Sequence, residues 1–146
     1  MSIAVRTAET VWEGELGSGR GTLGAGSGAF TDQEVTWASR TERSNGKTSP
    51  EELCAAAHSS CFSMALALKL GEKDLVAERL QVRAAVTLAE VAGLPTIATS
   101  ALEVEARVPN ADDATFQAIV AEAAELCPVS RLFTGAEVTV TARLAQ

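Results

Sequence analysis

The chain of 146 residues has no tyrosine, four phenylalanines, two tryptophans and a single histidine. With aromatics at 4% of the residues, the core must be built largely from alanine, valine and leucine. Three cysteines are too few for a disulfide-stapled secreted scaffold, and the number is odd. No lysine or arginine cluster offsets a net charge of -7. An acidic surface repels phosphate backbones and anionic bilayers, so neither nucleic acid nor a membrane is expected as a partner. The opening segment MSIAVRTAETVWEGE lacks the apolar h-region of a signal peptide. The longest apolar stretch, residues 53–70, is broken by His58, Ser59, Ser60, Ser63 and Lys69. It reads as too polar and too short to span a bilayer. A cytoplasmic location is expected.

What is present is ordinary for a globular chain: 47% apolar and 21% charged residues. The length implies one domain, residues 1–146, able to bury a core without staples or metal. Strand patterning begins at Ala4–Glu15, with Gly17-Ser18-Gly19 as a hairpin turn. A second strand follows from Gly21 to about Ala25, and a third from Ala29 to Trp37. A polar loop, RTERSNGKTS, occupies residues 40–49. It ends at a strong helix start: Ser49 as N-cap, Pro50 at the first position, and Glu52 completing a capping box. The helix that follows should run to Gly71. It is apolar nearly all round, and is therefore expected to be buried. Its small residues would let a second helix, such as a symmetry mate's, approach closely.

Two alternating strands then follow, Leu80–Leu88 and about Thr96–Val108, joined by a turn near Ala92-Gly93-Leu94-Pro95. Helical spacing covers Asp112–Leu126, a short helical turn Pro128–Phe133, and a last strand Ala136–Leu144. The order is three strands, helix, two strands, helix, strand. This defines an α+β fold.

Cys61 lies about eleven residues into the first helix. There it is either a small buried apolar side chain or a nucleophile. The helix dipole acts mainly on the first turn, so it gives Cys61 little help, and an unassisted thiol is only a few per cent ionised at pH 7. Chemistry at Cys61 therefore needs a cation from elsewhere. Cys54, His58 and Cys61 share one helix face, a spacing that permits metal ligation. The alternative is that His58 is a satisfied core or interface residue that also polarises Cys61. Cys127 precedes Pro128. If Pro128 opens the next turn, Cys127 is its N-cap, where free backbone N–H groups favour a thiolate.

The stretch from Ser49 to Leu66, with Glu51 and then Cys61 ten residues later, resembles the first cysteine motif of the OsmC/Ohr family. Cys127-Pro-Val-Ser130 resembles its second motif, and Trp12-Glu-Gly14 its N-terminal region. His58 and the arginine in the 40s loop point to the OsmC branch more than to the Ohr branch. The resemblance implies an intertwined homodimer with central helices packed against two antiparallel sheets. It also implies a cysteine-based peroxidase that reduces organic hydroperoxides to alcohols. On that pattern Cys61 attacks the peroxide and becomes a sulfenic acid, and Cys127 resolves it as a Cys61–Cys127 disulfide. Arg40, at the end of the third strand, matches the OsmC-type active-site arginine, with Glu51 as its orienting carboxylate. Arg43 and Arg20 are the alternatives. A dithiol reductant, dihydrolipoamide-like in this family, would regenerate the enzyme. No metal, haem or flavin is required. Phe30, Phe62, Met64 and Phe133 are the candidate substrate-binding residues. Cys54 departs from the family pattern and is assigned no role. A non-catalytic thiol switch or a metal-binding protein of the same fold is the rival reading.

Overall fold

In the computed structural model, which describes residues 1–145, the chain divides into two compact units, Met1–Leu53 and Cys54–Gln146. In the first, β1 (Ala8–Glu13) pairs antiparallel with β2 (Arg20–Ala25), and β2 with β3 (Gln33–Val35). The β1–β2 connection depends on Gly19. A Cβ there would collide with the Glu13 and Glu15 carbonyl oxygens. The third strand is shorter than expected because the chain turns into α1 (Trp37–Thr41), a helix the sequence reading missed. Thr36 caps it reciprocally with Ser39: Thr36 Oγ1 accepts from Ser39 N at 3.0 Å, and Ser39 Oγ from Thr36 N at 2.9 Å. Arg40 therefore sits on a helical turn, not at a strand end. Leu23 is the one buried apolar side chain larger than glycine in this unit, while Val11 and Trp12 are exposed on β1.

Helix α2 (Pro50–Gly71) starts as expected, with Ser49 Oγ accepting from Glu52 N at 3.1 Å. At 22 residues and a mean hydropathy of 1.4 over its best window, it is long and apolar enough to cross a membrane, contrary to the sequence expectation. The serines do not interrupt it because they donate to its own carbonyls: Ser60 Oγ to Ala56 O at 2.7 Å, and Ser63 Oγ to Ser59 O at 2.8 Å. Its packing is that of a core helix. His58, Phe62, Leu66 and Leu70, spaced four apart, form a buried stripe on one face. The expected all-round burial is not met, however, since Met64 and Leu68 are 67% and 55% exposed.

The second unit builds its sheet from β4 (Arg79–Val91), β5 (Leu94–Arg107) and β6 (Glu137–Leu144). Ala92 and Gly93, both at positive φ, close the β4–β5 hairpin as a two-residue turn. The sheet is mixed, a correction to the antiparallel expectation: β6 runs parallel to β5. The crossover that parallel pairing demands is supplied by α3 (Asp113–Leu126) and α4 (Pro128–Leu132). Asp112 caps α3 by accepting from Thr115 N at 2.7 Å. The core joins Phe62, Leu66 and Leu70 of α2 to Leu102, Val104 and Ala106 of β5 and Phe116, Ile119 and Ala123 of α3. Each large side chain so buried contributes about 1.5–3 kcal/mol.

Candidate active site

Cys127 lies where two helices meet. Its backbone N–H donates to Ala123 O at 3.0 Å, closing α3, and its carbonyl accepts from Arg131 N at 3.1 Å, opening α4. Pro128 at the first position of α4 fixes this junction, since its missing N–H costs nothing there. The side chain of Cys127 is fully buried. Cys61, half-buried on α2, presents its thiol to the Cys127 sulfur, and the two ionisations are linked.

The pair is electrically asymmetric. Burial pushes the Cys61 thiol up; the Val129 N–H opposes this in part, and the hydrogen bond to Cys127 and the charge there add smaller upward effects. Burial also acts to raise Cys127. There it is outweighed by the Ser130 side chain and N–H, by the Cys61 thiol and by the Val129 N–H, so that Cys127 lies below an ordinary thiol. The N–H groups at the start of α4 act on the sulfur as oriented dipoles and not as a formed capping bond. Beside the pair is an apolar cleft of about 330 Å³ lined by Cys61, Met64, Ala65, Leu68, Leu126 and Pro128.

Behind Cys127 runs a chain of hydrogen-bonded polar groups. Ser130 Oγ lies 2.8 Å from His58 Nε2, and His58 Nδ1 lies 2.6 Å from Ser100 Oγ. His58 and Ser100 are fully buried, and the ring of Phe133 packs on the imidazole at 5.2 Å. Burial lowers the His58 pKa, so the ring is neutral near pH 7. With both nitrogens engaged, His58 is not arranged for metal. Among the described residues no group of three His, Cys, Asp or Glu side chains is placed to hold one.

The structure also joins Arg40 to Glu51. Arg40 Nε lies 3.0 and 3.2 Å from the two carboxylate oxygens, and its terminal nitrogen 2.8 Å from Oε1, a fork geometry only arginine offers. Glu51 is 8% exposed, and the Trp37 ring lies 6.0 Å from the guanidinium carbon. Arg20 and Arg43 are exposed. Of the expected apolar substrate residues, Met64 lines the cleft, Phe62 is sealed in the core, Phe133 covers His58, and Phe30 stands 38% exposed in the first unit. Ser130 and Ser100 were not singled out from the sequence. Ser130 stands three residues after Cys127 in the second cysteine motif. Ser100 is the polar member of the inward series Ser100, Leu102, Val104, Ala106.

Two facing free thiols on helices of an α+β chain, one with its charge favoured and an apolar cleft alongside, form a candidate dithiol redox site. The sequence profile of the OsmC-like protein family matches residues 43–143, and the chain belongs to that family. It is 40% identical over 133 residues to Peroxiredoxin OsmC of Escherichia coli (strain K12), covering 91% of this chain and 92% of the relative. The Shigella flexneri protein of the same name matches equally. These relatives lie on the OsmC branch that the sequence favoured. The fold matches that of the organic hydroperoxide resistance protein OhrB of Bacillus subtilis with a TM-score of 0.75 and 24% identity, covering 94% of this chain and 98% of the other. An OsmC-like protein from Mycoplasma pneumoniae matches at 0.74 and 14% identity, covering 99% and 100%.

Proposed function

We propose that the chain is a cysteine-based peroxidase that reduces organic hydroperoxides to alcohols, with Cys61 as the attacking and Cys127 as the resolving thiol. The observation that carries this reading is the facing Cys61–Cys127 pair in a chain 40% identical to Peroxiredoxin OsmC. When the pair carries one proton, that proton stays on Cys61, whose S–H donates to the Cys127 sulfur. Passing that proton to Cys127 frees Cys61 as the thiolate. Its sulfur takes the distal peroxide oxygen, the O–O bond breaks, and the alkoxide accepts the proton from Cys127 and leaves as alcohol. Cys127, again a thiolate, attacks the Cys61 sulfenic acid. The S–O bond breaks, the hydroxide leaves as water with a proton from solvent, and a disulfide remains. A dihydrolipoamide-like dithiol restores both thiols by exchange.

The cation that favours charge on Cys61 is Arg40, oriented by Glu51, and it comes from a second copy of the chain. Ten residues of helix, about 15 Å of rise, separate Glu51 from Cys61 along α2, which supports supply of the Glu51-bound guanidinium by a second copy. The exposed Met64 and Leu68 of α2 and the exposed Val11 and Trp12 of β1 supply apolar surface for an intertwined homodimer, in which residues 1–146 act as one domain. The cleft of Met64, Ala65, Leu68, Leu126 and Pro128 receives the alkyl group. The unbridged thiols of Cys61 and Cys127 fit a cytoplasmic setting. Turnover of cumene hydroperoxide with a dithiol donor tests the reading. Cys61→Ser is expected to abolish it, and full retained activity would overturn the assignment.

A further inference from the structure

We propose that Ser130 is a positioning residue for the resolving step: its hydroxyl, aimed by His58, which is held in turn by Ser100, donates to the Cys127 sulfur and keeps it ready to capture the Cys61 sulfenic acid. The inference rests on the peroxidase reading and assigns a role to the buried His58 and Ser100 and the partly buried Ser130, none of which the two-thiol chemistry itself uses.

The proton count on Ser130 fixes the direction of each bond in the chain. Ser130 has a single hydroxyl proton and two neighbours, Cys127 and His58 Nε2. A proton given to Cys127 leaves Ser130 Oγ an acceptor toward His58, which fixes the Nε2–H tautomer. His58 Nδ1 then carries a lone pair, and Ser100, 2.6 Å away, must donate to it. Every hydrogen bond in the chain then points the same way: Ser100 to His58, His58 to Ser130, and Ser130 to Cys127. The thiol of Cys61 adds a second donor to the same sulfur. A sulfur that collects donors and offers none in return is one whose anionic form is favoured.

The network ends in the protein interior, since Ser100 and His58 have no exposed surface. It therefore orients and polarises without conducting protons to solvent. The groups facing Cys127 are Cys61 from α2 and Val129 and Ser130 from α4, with His58 one bond further back. None of these is a permanent charge, so the serine hydroxyl carries a large part of the effect. In the capture step Cys127 is oxidised and the Cys61 sulfur is reduced as the S–O bond breaks and the S–S bond forms. Ser130 gains and loses no atom.

The test titrates Cys127 alone. In the Cys54→Ala/Cys61→Ala background Cys127 is the sole thiol, and the absence of tyrosine leaves its ultraviolet thiolate absorbance clear of phenolate. Adding Ser130→Ala is expected to move the midpoint up by about one unit, and Ser130→Thr, which keeps the hydroxyl, to restore it. In the otherwise unmodified dimer, Ser130→Ala is expected to slow disulfide formation about three- to fourfold at pH 7, because the tenfold loss of thiolate is partly offset by greater nucleophilicity. Sulfenic acid formation at Cys61 is expected to stay within about twofold. Nitrogen NMR of His58 in the unsubstituted protein, independent of any variant's folding, is expected to show protonated Nε2 and bare Nδ1. An unmoved Cys127 midpoint, or the opposite tautomer, overturns the proposal. Failure of the peroxidase reading shows separately, as no sulfenic acid at Cys61 in any variant.

Discussion

The imidazole of His58 and the hydroxyl of Ser130 meet at 2.8 Å although 72 residues of chain separate them. The contact joins the middle of α2 to the first turn of α4, the two segments that carry Cys61 and Cys127. The same histidine reaches β5 through Ser100, so one neutral ring ties together three elements of the second unit.

That arrangement gives the protein a stability signature on mild acidification. The groups against His58 are Ser100, Ser130 and the Phe133 ring, none of them charged, and burial holds its pKa below the free value of about 6.5. Below pH 6.5 the unfolded chain takes up a proton that the native chain refuses. Stability is therefore fully present above 6.5 and is lost as the pH falls toward the folded value, at no more than about 1.4 kcal/mol per pH unit. His58→Gln should remove this slope. It should also cost about 1–3 kcal/mol at neutral pH, since the buried Ser100 loses its partner. Urea unfolding between pH 7 and 5 measures both. An equal slope in the two proteins would rule out His58 as its source.

The two thiols should fail differently when removed. Cys61→Ser is expected to form no sulfenic acid. Cys127→Ser should perform the first half-reaction and stop, leaving a sulfenic acid that dimedone traps and that excess peroxide drives to sulfinic acid. In the unsubstituted protein, peroxide should remove about two mass units and link the two cysteine peptides. Peptide mass spectrometry after one equivalent of cumene hydroperoxide distinguishes these outcomes. A bridge to Cys54 in place of Cys127 would contradict the pairing.

Much of this was legible in the sequence, and the parts that were not have a common cause. Ser49-Pro50 marked the start of α2, alternation marked β4 and β5, and Pro128 placed Cys127 at a helix junction, all signals carried by residues close in sequence. The parallel pairing of β6 with β5 was missed because strand direction depends on the crossover, not on the strand's own pattern. Helix α1 was missed despite its Thr36/Ser39 cap because the residues after Arg40 are uniformly polar. Phe62 shows the limit of composition: an aromatic beside the proposed attacking cysteine suggested substrate contact, yet one helical position turns it onto the buried stripe of His58, Leu66 and Leu70. The roles of Ser100 and Ser130 depend on contacts that no local pattern encodes.

The cleft next to Cys61 should set substrate preference. Its lining is almost wholly apolar, with Met64 and Leu68 on α2 and Leu126 and Pro128 at the helix junction. Leu126→Asp is expected to raise KM for cumene hydroperoxide about tenfold, the loss of one good apolar contact with an added desolvation cost. The rate with hydrogen peroxide, which has no alkyl group to bury, should change much less. Steady-state kinetics with the two peroxides gives the ratio. An unchanged ratio would remove this surface from the substrate site.

The proposed supply of the cation by a second copy leads to a test by mixing. Arg40→Lys keeps the charge but loses the fork on Glu51, so it should lose most activity, as should Arg40→Ala. Without the guanidinium, Cys61 stays on the protonated side of the pair, and the rate at pH 7 should fall about 10–1,000-fold. Homodimers of Arg40→Ala and of Cys61→Ser are then each inactive for a different reason. If each site takes Arg40 from one copy and Cys61 from the other, a heterodimer regains one intact site and carries one doubly damaged site. Equal mixing with free exchange makes about half the dimers mixed, so about a quarter of unsubstituted activity should return. If Arg40 and Cys61 served the same site within one chain, no combination would rebuild it and the mixture would stay inactive. Peroxide turnover before and after subunit exchange, with the exchange itself followed by native mass spectrometry, decides between the two arrangements.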